Sequence, residues 1–226
     1  MSEDSFVKEV DDELRTDQFK SLWQRYGIVL VSAAVAVVLG TAGFEGYKYW
    51  RDSQASKSGD LFLEALTNAK DQKPEDAFKA LAELEKTGFG SYPLLARMRA
   101  ATLLATQGNA KGAVEAFDTI AADNSVDSAI ADMARLRAAL LLVDSGSYDD
   151  VAKHAELLTA DNNALRFSAR EALGLSAWKA GKTKEAQGFF ESIKNDEAAP
   201  RALGDRADLM LSVIKSSGDA PAKTGS

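Results

Sequence analysis

The sequence has no cysteine, one histidine and four prolines among its 226 residues. The lack of cysteine excludes disulfide bonds and thiolate chemistry. The scarcity of proline, together with abundant alanine and leucine, predicts long helices rather than sheets. His154, the single histidine, lies in the segment VAKHAEL with no nucleophile or second metal ligand nearby. We therefore predict a structural role for it.

Positive charge is also scarce. The chain carries 27 lysines and arginines against 34 acidic residues, and residues 51–226 carry 22 against 26. A general nucleic-acid-binding protein needs a basic surface, so this class is excluded. The sequence has no phosphate-binding loop, zinc-ligand spacing or calcium loop, and Gly40, Gly43 and Gly46 lack the strand and turn of a dinucleotide site. We predict a protein that is not an enzyme and that binds no cofactor, metal or small-molecule substrate.

Charge is missing entirely from one long segment, Tyr26 to Phe44. As a helix, this segment spans about 28 Å, close to the roughly 30 Å hydrocarbon thickness of a bilayer. Aromatic residues are found at both of its ends, as is typical of membrane–water interfaces. These residues are Trp23, Tyr26, Tyr47, Tyr49 and Trp50. The sequence predicts a single transmembrane helix over residues 26–50.

The apolar run has two alternative interpretations, a cleaved signal peptide and a core helix of a soluble domain. A cleaved signal peptide would use the small residues Gly40-Thr41-Ala42, but the segment ahead of the apolar run is acidic rather than cationic. A core helix of a soluble domain rarely lacks charge over so long a stretch. Orientation stays open, because three lysines and arginines lie within about fifteen residues of each end.

Residues 1–25 form an acidic tail ahead of the anchor. Phe6, Val10 and Leu14 recur at spacing four in this tail and predict an amphipathic helix. Such a helix would lie on the membrane surface or on a partner.

Beyond the anchor the sequence is repetitive, with intervals of 36, 38 and 35 residues between equivalent positions. One column, five positions after the turns, holds Ala77, Ala113, Val151 and Ala186. A second column, before the turns, holds Ala65, Ala101, Ala139 and Gly174. A third, after the turns, holds Leu84, Ile120, Leu158 and Ile193. The period is near that of a helix–turn–helix repeat of the tetratricopeptide kind, in which small residues let paired helices approach closely.

Turn and cap residues set the boundaries of the repeats. The turn glycines are Gly108, Gly146 and Gly181, and the predicted caps that follow them are Asn109, Ser147 and Thr183. We assign four helix pairs, over residues 55–87, 92–123, 126–160 and 163–196, and a polar-faced capping helix from Pro200 to about Ser216. The repeat domain covers residues 51–216, and residues 217–226 are predicted to be disordered. The predicted fold class is all-α, a single transmembrane helix followed by a tetratricopeptide-like α-solenoid of about four helix pairs plus the capping helix.

Several segments together resemble a known family. They are FVKEVDDELR in the tail, LWQRYG and YKYW at the ends of the anchor, and the helix starts ARMRAATLL and ARLRAALLL. Over nearly its whole length the chain resembles bacterial single-pass membrane proteins with a tetratricopeptide-like domain, and it is similar to the YfgM-type ancillary subunit family of the Sec translocon. The third repeat departs from the pattern at Val151 and Ala155. The resemblance implies a bacterial inner-membrane protein with a cytoplasmic amino terminus and a periplasmic carboxyl-terminal domain.

The first helix of each pair is expected to line the concave face of the stack, where a partner helix or an extended polypeptide would bind. The apolar residues on or near this face form the predicted polypeptide-binding groove: Leu95, Met98, Met133, Leu136, Leu140, Val143, Leu175 and Trp178. The alternative is that they belong to the core, because apolar residues at helical spacing usually do.

Arginines recur at equivalent positions of three first helices, at Arg97, Arg135 and Arg170. One interpretation is that they hold carboxylates of an acidic partner, since a planar guanidinium group forms bidentate pairs with a carboxylate. The alternative is that they pair with acids inside the domain. Arg99 and Arg137 follow the first two arginines by two residues.

A stripe of small residues lies within the anchor. Ser32, Ala36 and Gly40 are spaced by four residues and are predicted to let another membrane helix approach closely. The alternative is that the stripe has no role in helix–helix contact, because small residues are common in membrane helices.

The function predicted from these features is that of a membrane-anchored adaptor for protein–protein interactions. From the resemblance, its partners are translocon subunits, a periplasmic chaperone and exported polypeptides. The alternatives are a scaffold of another envelope or cell-division complex, the same domain facing the cytoplasm as a receptor, and a hydrolase of envelope polymers.

Overall fold

The computed structural model describes the backbone of residues 3–218 and the side chains of residue 20 and residues 23–217. The chain divides into two compact units, residues 1–56 and 57–226. All regular structure over residues 3–218 is helical, which confirms the predicted all-α class. The side chains of Phe6, Val10 and Leu14, which define the predicted amphipathic helix, and the residues after Gly218 lie outside the described part. Ser217 and Gly218, predicted to begin the tail, are the last residues of the last helix.

The first unit consists of helix α1, whose bounds are Glu3–Lys70 and which therefore also contributes to the second unit. Within a helix every peptide group has an internal partner, as an apolar segment requires in lipid. The hydroxyl of Thr41 also has one, because it donates to the carbonyl of Val37 at 2.8 Å. The apolar side chains of the run point outward all round the helix, with Ile28 82% and Leu39 67% exposed.

The second unit is a stack of helix pairs. The end of α1 pairs with α2 (Pro74–Thr87), and α3 (Tyr92–Thr106) pairs with α4 (Ala110–Ala121). The third pair is α5 (Ser128–Ser145) and α6 (Tyr148–Ala155), which a short 3-10 helix (Glu156–Thr159) continues. The fourth pair is α7 (Arg166–Lys179) and α8 (Thr183–Lys194), and α9 (Arg201–Gly218) follows it. Each pair falls within one of the four predicted ranges.

A small residue faces a larger one inside most pairs. The small residues of the first helices are buried at Ala65, Ala101, Ala139 and Gly174. The second helices bury Leu81, Phe117, Ala155 and Phe190 against them. At Gly174 the approach is closest, because a Cβ atom there would lie 2.8 Å from Cζ of Phe190. The pairs with a large aromatic residue on one helix therefore depend on a small residue on the other.

Three of the four hairpin turns share one backbone geometry. In each, a residue with positive φ follows the first helix: Gly108 (φ 79°), Gly181 (φ 74°) and, in the first pair, Gln72 (φ 59°). The next amide donates to a carbonyl five residues earlier, as in Asn109 N–H to Leu104 O at 3.0 Å. This is the Schellman ending, which prefers glycine because a left-handed backbone crowds a Cβ atom. Gln72 adopts it without that advantage.

The third turn differs, which corrects its grouping with the other two. Gly146 has an extended backbone (φ −105°, ψ −177°), and a single residue, Ser147, separates it from α6. Ser147 and Asp150 form the predicted capping box, with Ser147 N–H donating to the Asp150 carboxylate at 3.0 Å. The following α6 has only eight residues before it tightens into the 3-10 helix. The third repeat is thus irregular, as its departures from the column pattern indicate.

Two cap predictions have opposite outcomes. Asn109 caps α4, because its side-chain oxygen accepts from the Gly112 amide at 3.0 Å. Thr183 was predicted to cap α8, but it is the first residue inside the helix, and Lys182 occupies the cap position without a side-chain hydrogen bond. The turn is one residue shorter than the prediction assumed, because the cap follows Gly181 directly, as Asn109 follows Gly108.

Helix α9 ends the stack as predicted. Ala207 and Ile214 are buried against α7 and α8, and Arg206 pairs with Glu171 of α7 through two hydrogen bonds, of 2.5 and 2.9 Å. Its outer face is less polar than expected, because the side chain of Leu209 is 64% exposed.

Candidate protein-interaction site

Helices α3 and α5 each present one partly exposed face within the second unit. On α3 this face carries Leu95, Arg99, Thr102 and Thr106, which are spaced by three or four residues. Leu95 is 45% exposed, and Leu140, on α5, is 43% exposed. These are the two members of the predicted groove whose apolar side chains are most accessible.

A pocket of about 340 Å³ lies between these faces. Its lining comes from three helices: Thr102, Ala105 and Thr106 of α3, Phe117 of α4, and Arg137, Leu140 and Leu141 of α5. The surface of the pocket is mainly apolar, and its volume is at the lower end of the roughly 300–1,000 Å³ typical of ligand pockets. We call it the α3–α5 pocket. It has room for a few side chains rather than for a whole helix face.

The rest of the predicted groove is more buried than expected. Leu136 is only 5% exposed and packs in the core with Ala139 and Leu173, so its assignment to the groove is wrong. The remaining members are half-buried: Met98, Met133, Val143, Leu175 and Trp178. Except for Met133, they pack against core clusters. The structure therefore concentrates accessible apolar surface around Leu95 and Leu140.

Of the two interpretations of Arg97, Arg135 and Arg170, the structure supports pairing inside the domain, because all three guanidinium groups are engaged there. Arg97 donates to the Asp123 carboxylate at 2.7 Å. Arg135 donates to the Ala121 carbonyl at 3.0 Å, at the end of α4. The remaining contacts are Arg135 with Asp132 at 2.8 Å, and Arg170 with Asp161 at 2.7 Å and with the Thr159 carbonyl at 3.0 Å. These arginines join first helices to the ends of second helices.

Arg99 and Arg137 differ from their neighbours. Two residues along a helix correspond to a rotation of about 200°, so they lie on the other side of α3 and α5 from Arg97 and Arg135. Over residues 23–217, neither has a hydrogen bond or an ion pair, and the Nε atom of Arg99 is buried without a partner. Arg137 is exposed and lines the α3–α5 pocket. They are better candidates for partner contacts than the three arginines predicted.

A periodic feature of the sequence coincides with this site. The motif Arg-x-Arg recurs 38 residues apart in α3 and α5, and its second arginine shares a face with Thr102 on α3 and with Leu140 on α5. Phe117, in contrast, comes from a second helix. Its position in the pocket lining depends on how α3, α4 and α5 pack.

His154 has the structural role predicted for it. It is 8% exposed, and its Nε2 atom lies 2.9 Å from a carboxylate oxygen of Asp118 on α4, while Nδ1 lies 2.7 Å from the Asp150 carbonyl. Both partners accept hydrogen bonds, so both contacts form together only when both ring nitrogens are protonated. The histidine ties α6 to α4. In the part of the chain with described side chains, no group of three metal-ligating residues converges.

Two carboxyl groups in the turns have lowered pKa values. Hydrogen bonds from Ser125 and Arg97 lower the pKa of Asp123 to about 2. Hydrogen bonds from Ser147 lower the pKa of Asp150 in the capping box. A general acid would need a raised pKa instead. Both groups therefore act as structural acceptors at turns.

The apolar part of α1 is the second candidate for interaction, with the bilayer. Among the described residues, one stretch is apolar enough to cross a membrane; it lies within Trp23–Lys70, has a mean hydropathy of 2.2, and has 6% of its residues buried. At its carboxyl end the rings of Tyr47 and Trp50 are 6.1 Å apart. The predicted stripe of Ser32, Ala36 and Gly40 is exposed along this stretch.

Comparison with known proteins identifies the repeat. The model of the tetratricopeptide repeat-like domain matches residues 20–203. No curated protein and no solved structure matches the chain significantly. The family match spans most of the sequence and includes the helix pairs that surround the α3–α5 pocket. The chain therefore belongs to the tetratricopeptide repeat-like domain family.

Proposed function

We propose that this protein is a membrane-anchored adaptor that binds other proteins through its repeat domain. The observation that carries the proposal is the combination, in one chain, of a tetratricopeptide repeat-like domain with an exposed apolar helix long enough to span a bilayer. Such repeat domains are typical of non-enzymatic adaptors, and their stacked helix pairs offer extended surfaces for polypeptides. Catalysis has no part in this proposal.

The orientation that we propose for the chain is the one that the resemblance to the YfgM-type family implies. Residues 26–50 span the membrane, residues 1–25 remain on its cytoplasmic side as an acidic tail, and residues 51–216 bind partners in the periplasm. The aromatic side chains near both ends of the apolar run support the span, since such rings favour the interface. The acidic character of the tail supports an anchor over a cleaved signal peptide.

The finer proposal is an ancillary role beside the Sec translocon, in which the domain connects periplasmic chaperones or exported polypeptides to the machinery. The support for this role is the resemblance of the tail, the anchor ends and the helix starts to the YfgM-type family. The test is purification of the full-length chain from bacterial membranes in a mild detergent, followed by mass spectrometry. We expect translocon subunits among the recovered proteins. Recovery of cell-division or other envelope scaffold proteins in their place would contradict the translocon role and leave the adaptor intact.

Membrane topology has a direct test. We expect the full-length chain in the membrane fraction, with the repeat domain protected from added protease in intact cells and cleaved in spheroplasts. A chain that is recovered in the soluble fraction without its apolar segment would refute the anchor. Protection in spheroplasts as well would place the domain in the cytoplasm.

The small-residue stripe is proposed to hold a partner helix inside the membrane. A Cβ atom at Gly40 meets no atom within 4 Å in the described part of the chain, so leucine there leaves α1 itself undisturbed. We expect the double change Ala36→Leu and Gly40→Leu to reduce recovery of the membrane partner, because larger side chains hold two helices apart. Val38→Leu, on another face, is the matched control. Equal recovery of the membrane partner with the unaltered protein, the double variant and the control would contradict a role for the stripe in binding a partner helix.

A further inference from the structure

We propose that the α3–α5 pocket binds acidic, apolar polypeptide segments. One large apolar side chain enters the pocket, and carboxylates beside it in the segment pair with Arg137 and Arg99. This inference rests on the proposed function and specifies the chemistry of the partner at one site. Three observations support it: the lining of the pocket, the unpaired guanidinium groups of Arg137 in that lining and of Arg99 on the same face of α3 as Thr102, and the position of the pocket in the stack.

The lining selects an apolar side chain. Leu140 and Leu141 contribute apolar surface, and Phe117, which is 2% exposed, also lines the pocket. The two threonines add little polarity, because the Thr102 hydroxyl donates to the Met98 carbonyl of its own helix at 2.9 Å and the Thr106 hydroxyl donates to the carbonyl of Leu103 at 2.8 Å. Their methyl groups remain available for contact. Burial of an apolar side chain here removes apolar surface of both partners from water.

The guanidinium groups select acidic neighbours for that side chain. Arg137 lines the pocket with no hydrogen-bond or ion-pair partner among the described side chains, and Arg99 shares the face of α3 that carries Thr102. The buried Nε atom of Arg99 has lost water without gaining an acceptor, which is unfavourable. A carboxylate matches the planar geometry of a guanidinium group and can pair with its accessible nitrogens. A basic segment would add like charges instead.

The space between α3 and α5 differs from the equivalent space one repeat further along, between α5 and α7. One repeat further along, a side chain of α7 contacts the end of α5 directly. Lys179 of α7 donates to the carbonyls of Val143 and Asp144, at 3.1 and 2.5 Å, at the end of α5. Over the described residues, no side chain of α5 makes such a contact with the end of α3, where Thr106 lines the pocket.

The test measures binding of labelled peptides to the full-length protein in nanodiscs of zwitterionic phosphatidylcholine by fluorescence anisotropy. The probe GSDELFEDGS has an apolar centre and acidic flanks. Its controls are GSKRLFKRGS, with the charges reversed, and GSDESSEDGS, without the apolar centre. We expect the probe to bind at least about tenfold more tightly than either control, and its affinity to fall as salt rises. Equal binding of all three peptides would overturn the proposal.

Variants locate the binding at the pocket. Arg137→Glu should lower the affinity for the probe at least about tenfold, and Arg137→Lys should retain part of that affinity. Thr102→Trp should abolish binding of the probe, because the larger side chain fills the pocket. Lys184→Glu, an exposed change of the same charge on α8, is the matched control and should bind normally. Circular dichroism checks that each variant is folded. Unchanged binding by folded Arg137→Glu and Thr102→Trp proteins would refute the site.

The two proposals fail in different ways. If the probe does not bind but partners are still recovered with the full-length chain from membranes, the chemistry assigned to the pocket is wrong and the adaptor function stands. If the probe binds and no partner is recovered from membranes, the pocket is supported and the proposed function is contradicted.

Discussion

Gln72 offers a sharp test of the repeat geometry. It occupies the left-handed position at the end of the first turn that glycine occupies at Gly108 and Gly181. A left-handed backbone costs a residue with a Cβ atom about 1–2 kcal/mol. Glycine avoids this cost but adds about 0.4–1 kcal/mol of conformational freedom to the unfolded chain. Gln72→Gly should therefore stabilise the repeat domain by about 0.5–1 kcal/mol, because the side chain is exposed and contributes no hydrogen bond over residues 23–217.

The assay is thermal unfolding of the full-length protein in detergent, followed by helical circular dichroism. For a domain of this size, 1 kcal/mol corresponds to about 2–4 °C in Tm, so we expect a rise of about 1–4 °C. The reverse substitution at an equivalent turn position is Gly181→Gln. A Cβ atom there meets nothing within 4 Å in the described structure, so only the backbone cost should appear, as a fall in Tm of similar size. A lower Tm for Gln72→Gly, or no change for Gly181→Gln, would refute the assignment of a shared turn.

Three further outcomes are expected. Phe117→Ala should lower the free energy of unfolding by about 3–5 kcal/mol in denaturant titrations, because the ring is 2% exposed and fills the space between helices. Hydrogen bonds from Ser125 and Arg97 lower the pKa of Asp123 from 3.8 to about 2, so the stability that they provide is present above pH 4 and is lost as the pH falls from about 4 to about 2. Asp123→Asn should flatten that part of the pH–stability profile, and an unaltered profile would contradict the contact. Glu171→Gln, which breaks the ion pair between α7 and α9, should cost about 0.5–1 kcal/mol at low salt and less at high salt.

The sequence alone determined the features of this protein that are local or periodic. The four helix pairs, the small-residue column from Ala65 to Gly174, and the caps at Asn109 and Ser147 were predicted correctly. These features depend on residues close together in the chain or on a repeated interval, and both are visible in a single sequence. The apolar run from Tyr26 to Phe44 belongs to the same class, because its length and lack of charge define it.

Only the tertiary structure decided which side chains are available to a partner. Arg97 and Arg99 are two residues apart, yet the first is held by Asp123 and the second has no partner over residues 23–217. Leu136 and Leu140 are four residues apart, yet the first is in the core and the second is on the surface. The reason is that the acceptors and the neighbouring helices lie tens of residues away along the chain, and small changes in helix packing determine whether they reach a given side chain. The sequence therefore determined the repeat, and the packing of α3, α4 and α5 determined the pocket.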